Sequence, residues 1–175
     1  MNNISGNNIQ KNILKGLKSS DSQKVIESIA ELRVSGNVAY IPFLLDLLNS
    51  SQNPEIRKKI SELLSNLKEP DAIPYLLSAI ADKKYAFVLK GLISSCWENG
   101  MDYSTHIPLF VDILIENNLE VALEAYTVII NTENKIEQAI IDREVVRLEK
   151  ALTSASEQKR PLLLDVIDFL PSIGF

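Results

Sequence analysis

The chain has 175 residues, 46% of them hydrophobic, with 18 Lys and Arg against 23 Asp and Glu, a net charge of −5, and Cys96 as its one cysteine. Folding at this length buries about 70% of the surface of the unfolded chain, so a core can form without disulfides or metals, and one cysteine excludes an intramolecular disulfide framework. No apolar run approaches the ~20 residues of a membrane span, and Met1 to Gln10 has neither the basic start nor the apolar centre of a secretory signal, so a cytoplasmic protein is expected.

Residues 1–20 open rich in Asn, then space Ile9, Ile13, Leu14 and Leu17 for one short amphipathic helix. That helix is expected to cap the first helix pair, and the order of the segment is left open. Residues 21–175 are expected to form one helical repeat domain. Its helix pairs fall at 22–34/38–49, 54–67/71–81, 84–98/104–116 and 119–131/135–152, with a last helix at 157–170.

In the stretch 54–67, Ile56, Ile60, Leu63, Leu64 and Leu67 line one face, while Arg57, Lys58, Lys59 and Glu62 fill the other. Pro54 suits the first helical turn, where its missing N–H is not needed, and Asp71 is placed to cap the next helix. The fourth pair lacks the Ile-Pro of its predecessors and has a long, charged second helix, as expected of a terminal unit.

Ile-Pro recurs three times, at Ile41-Pro42-Phe43, Ile73-Pro74-Tyr75 and Ile107-Pro108-Leu109, the prolines being 74 − 42 = 32 and 108 − 74 = 34 residues apart. That period is the length of a two-helix solenoid unit. The core quartets Ile41/Leu44/Leu45/Leu48, Ile73/Leu76/Leu77/Ile80 and Ile107/Phe110/Val111/Leu114 repeat with it. Eight residues after each quartet comes the first apolar anchor of the next helix: Ile56, Val88 and Ala122. A constant offset implies a constant turn and similar stacking. The expected fold is all-α: a right-handed α-α superhelix, a solenoid of about four to five helical hairpins.

The stretch Asn53 to Leu77 resembles the HEAT-repeat family, and most closely the short bacterial repeats of phycobilin-lyase subunits. The resemblance rests on Ile56-Arg57 and on Pro70-Asp71-Ala72-Ile73-Pro74, and extends over about residues 22–152. The Arg57 position is Ile26 in the first unit and Leu89 in the third. The resemblance implies an armadillo-like adaptor or scaffold. Its alternative implication is an accessory subunit or enzyme of the phycobilin-lyase or HEAT-like DNA-repair type.

No catalytic, cofactor or metal motif emerges. His106 is the sole histidine and no motif sets a nucleophile beside it. One His and one Cys fall short of the usual zinc ligand sets. Cys96 shares a helix face with Val88 and Leu92, so Cys96-Trp97 reads as core. The glycines form no phosphate-cradling loop, so no cofactor is expected. The basic clusters Arg57-Lys58-Lys59 and Lys83-Lys84 are short and read as solvated faces.

Charge is distributed unevenly: residues 1–90 carry 12 Lys and Arg against 9 Asp and Glu, and 91–175 carry 6 against 14. Residues 98–134 hold seven carboxylates and no Lys or Arg, the opposite of what nucleic acid requires. Glu116, Glu120 and Glu124 share a face if one helix runs through them. Only the last two do so if a helix starts near Leu119. A basic partner segment is the expected complement.

The remaining candidate is a second-helix ridge. Phe43 and Leu47, Tyr75 and Ala79, Leu109 and Ile113 lie about 200° and 240° round their helices from the Ile of Ile-Pro, with Asp46, Ser78 and Asp112 between them. The expectation is a non-enzymatic module that binds a peptide or protein on this surface, which HEAT-like stacks turn to the concave side. The competing expectation is that these residues fill the groove between successive second helices.

Overall fold

The structure, a computed structural model, describes residues 11–35 and 37–175. Ile9 and the rest of the expected N-terminal segment up to Gln10 lie outside the described residues. The chain divides into two compact units, one ending at Val88 and the other starting at Leu89.

In the first unit α1 (11–17) buries Ile13 and Leu17. It lies close to α2 (Ser22–Ser35): a Cβ on Gly16 would stand 1.9 Å from Ser28 Oγ, so glycine permits the approach. Asp21 opens α2 by accepting the Gln23 N–H at 3.0 Å. Then come α3 (Ile41–Ser50), α4 (Pro54–Leu64) and α5 (Ile73–Ala81). Asn53 caps α4 by accepting from the N–H groups of Glu55 at 2.9 Å and Ile56 at 3.3 Å. First helix stacks on first helix, α2 on α4, and second on second, α3 on α5. A 3₁₀ turn at Lys83–Val88, where a helix start was expected, closes the unit against α3 and α5.

Each Ile-Pro helix is entered in the same way. A 3₁₀ turn, Val38–Tyr40, Pro70–Ala72 or Ser104–His106, runs directly into the Ile, and proline occupies the first helical turn. Proline has no N–H to donate and its φ is already helical there, so it marks the entry and sets the register of the face behind it.

The second unit contains α6 (Leu89–Asn99), α7 (Ile107–Glu116), α8 (Leu119–Ile130), α9 (Gln138–Leu152) and α10 (Arg160–Phe169). Here α6 packs on α8 and α8 on α10, while α7 packs on α9, so the alternation of first and second helices continues. Gly100 ends α6 with φ +64°, the left-handed conformation that glycine adopts without penalty. Helix α9 starts at Gln138 because residues 135–137 are otherwise engaged. Ile136 donates its N–H to Ile173 O at 2.9 Å and accepts from Phe175 N–H at 3.1 Å, a parallel bridge made by the C-terminal residues. The helix expected from 157 starts at Arg160, where Pro161 fits the first turn.

The quartets Ile41/Leu44/Leu45/Leu48 and Ile107/Phe110/Val111/Leu114 are wholly buried; in the middle quartet Leu76 and Ile80 are buried, Ile73 and Leu77 half-buried. Among the described residues no helix is long and apolar enough to cross a membrane. Leu44→Ala or Leu76→Ala should lower the unfolding free energy by about 2–5 kcal/mol in a denaturant titration, as for other buried leucines. Phe43→Ala, one residue from Leu44, should cost less than about 1 kcal/mol.

Candidate functional site

At 100° per residue the core quartet of a second helix centres close to the Ile of Ile-Pro, and the positions two and five residues after that Ile lie farthest from it. Those positions are Phe43/Asp46, Tyr75/Ser78 and Leu109/Asp112. In the first unit Phe43 is 42% and Tyr75 37% exposed, and Asp46 and Ser78 are exposed; in the second, Leu109 and Asp112 are half-buried. The position six residues after the Ile lies about 40° nearer the core, and there Ala79 and Ile113 are buried and Leu47 is half-buried. The expected ridge therefore separates into an outward line and a packed flank. Ile113 belongs to the packing.

Electrostatic partners hold the outward line in the first unit. Asp46 Oδ1 accepts from Lys84 Nζ at 2.5 Å and from the Tyr85 hydroxyl at 2.6 Å, and Asn49 Nδ2 donates to Lys84 O at 3.1 Å. The hydrogen bonds from Lys84 and Tyr85 hold the Asp46 carboxyl below its ordinary value. Lys18 Nζ stands 5.5 Å above the Phe43 ring, a cation–π contact. Neither Lys84 nor Lys18 is evident as a site residue in the sequence, because their partners lie 38 and 25 residues away.

In the second unit Asp112 is bound by Arg147 Nη2, and Arg147 Nη1 donates to Glu144 Oε2 at 2.6 Å. Glu144 is fully buried on α9 and also accepts from Arg143 Nε at 2.8 Å. Removing one partner would leave a buried charge unmatched, so this cluster ties α7 to α9. Lys159 Nζ donates to the carbonyls of Ile115 at 2.7 Å and Asn117 at 2.9 Å, occupying the free acceptors at the end of α7.

The three glutamates do not share one helix. Glu116 ends α7, while Glu120 lies in the first turn of α8 and Glu124 one turn on. Glu120 pairs with Lys90 at 3.2 Å, and Glu124 accepts from Trp97 Nε1 at 2.9 Å. The acidic run is thus partly neutralised by a lysine that precedes it in the sequence.

Cys96 is buried, and desolvation pushes its thiol up to about 12. Beside it Asn99 Nδ2 donates to the Tyr103 hydroxyl at 3.0 Å, both groups buried. Burial likewise raises Tyr103 well above the ordinary tyrosine range. His106 stands half-buried at the entry of α7. Among the described residues no three His, Cys, Asp or Glu side chains gather so as to hold a metal ion. A feature that the sequence does not announce is Phe87, 75% exposed, with the Arg57 guanidinium 4.8 Å above its ring.

The arrangement defines an all-α solenoid of stacked helical hairpins. Residues 10–96 match the family model for HEAT repeats. HEAT repeats generally mediate protein–protein interaction or scaffolding. No curated protein matches the chain. A crystal structure of an engineered protein is similar at 18% identity and a TM-score of 0.49, over 98% of this chain and 83% of that one.

Two outcomes are expected. Because the folded Asp46 has a depressed pKa, its contribution is present above the ordinary value of 3.8 and lost as pH falls below it. Asp46→Asn should therefore cost about 0.2–1 kcal/mol near neutrality, and the gap from wild type should close below that value in urea titrations at stepped pH. Cys96 should resist an aromatic disulfide reagent at pH 8 in the native protein and react fully once denatured.

Proposed function

We propose that the chain is a non-enzymatic, cytoplasmic protein-binding scaffold that holds a peptide or protein on the outward line of its second helices. The supporting observation is the pair Phe43 and Tyr75, large aromatic side chains left open at the same repeat position, each one residue before a buried leucine, Leu44 or Leu76. Exposed aromatics at a common register are what an interface uses as anchors. Leu109 and Asp112 carry the same positions in the second unit, and Glu116 is a carboxylate of the acidic run with no cation paired to it among the described residues.

Affinity capture from the native cell with mass spectrometry identifies the partner, and its affinity for wild type and variants then tests the face. Tyr75→Ala should weaken binding by about 30-fold, the equivalent of roughly 2 kcal/mol at an aromatic anchor, with little change in melting temperature. A variant that melts several degrees lower but binds normally while folded would place the binding surface elsewhere.

A further inference from the structure

A cleft of about 140 Å³ opens in the first unit between α3, α5 and the 3₁₀ turn at Lys83–Val88. That is well below the ~300 Å³ at which small-molecule sites begin, and suits a single side chain. Its floor is Leu45 and Ala79, both buried, and one wall is Tyr75. Three residues with polar groups, Tyr75, Ser78 and Asp82, line it. The Tyr75 hydroxyl and the Ser78 hydroxyl make no hydrogen bond among the described residues, and Asp82 spends Oδ1 on the Lys84 N–H at 2.9 Å, leaving Oδ2 free. Lys84 is matched by Asp46, so no cation among the described residues pairs with Asp82.

We propose that this cleft receives an arginine side chain of the partner. The aliphatic stem would lie over Leu45 and Ala79, the planar guanidinium against the Tyr75 ring, and its N–H groups on Asp82 and the Ser78 hydroxyl. Arginine fits better than lysine because a planar, weakly hydrated cation stacks on an aromatic ring and donates in a fork at once. The inference rests on the proposed binding face and adds the chemistry of its anchor.

Nuclear magnetic resonance titration of the full chain with N-acetyl-arginine methylamide tests it, with the lysine and citrulline analogues as controls. Citrulline keeps the shape and removes the charge. The expected result is saturable shifts confined to residues around Tyr75, Ser78 and Asp82, weaker for lysine and absent for citrulline. Asp82→Asn, which keeps the Oδ1 acceptor for the Lys84 N–H, should weaken arginine binding by about three- to fivefold. Equal shifts with citrulline, or no localised shift with arginine, would overturn the proposal. With the captured partner the two readings separate. Weaker binding in both Tyr75→Ala and Asp82→Asn supports the arginine anchor, whereas weakening in Tyr75→Ala alone overturns the anchor and leaves the face standing.

Discussion

Everything about the outward surface depends on where each second helix begins. A proline fits a helix without losing a hydrogen bond only in the first turn, so Pro42, Pro74 and Pro108 mark the start of α3, α5 and α7. Once the start is set, 100° per residue determines which positions meet the core. A start displaced by one residue would rotate Phe43 and Tyr75 by about 100° toward the packed flank. The 3₁₀ turn before each Ile-Pro is part of the same device, since it tightens the chain into the helix without a side-chain cap.

A helix in a stack has neighbours on both sides and a partner beneath, which leaves one narrow strip free. On α3 and α5 the positions two and five after the Ile occupy that strip. Chemistry at these positions differs from helix to helix: an aromatic and a carboxylate clamped by Lys84 on α3, an aromatic and a free hydroxyl on α5, a leucine and a carboxylate bound by Arg147 on α7. The same backbone frame thus presents different side chains at equivalent points, which is how repeat scaffolds acquire selectivity without changing fold.

The helices, their pairing and most of the buried set were legible in the sequence because each is a local, periodic property. The register of Ile41 and Ile107 places their quartets in the core without any knowledge of distant contacts, and that of Ile73 does so for Leu76 and Ile80. What was not legible was long-range. Lys84 reads as a solvated turn lysine until its partner Asp46 is brought to it, and Glu120 and Glu124 read as a bare acidic face until Lys90 and Trp97 reach them. Residues 135–137 read as helix because nothing local announces that Ile173 and Phe175 will pair with Ile136. The division of the ridge into an open line and a packed flank was not legible for a third reason. About 40° separates Tyr75 from Ala79 round the helix, and only the closeness of the neighbouring helix decides that the first stays open while the second is covered.

The central claim is that Phe43 and Tyr75 face solvent while Ala79, six residues after Ile73, is sealed. Thiol labelling of single-cysteine substitutions tests it most directly, because buried Cys96 stays silent as an internal control. Phe43→Cys and Tyr75→Cys should label at rates near that of an unstructured thiol, while Ala79→Cys should be slower by at least about a hundredfold in native protein, its labelling requiring local opening. Equal rates at Tyr75→Cys and Ala79→Cys would contradict the account.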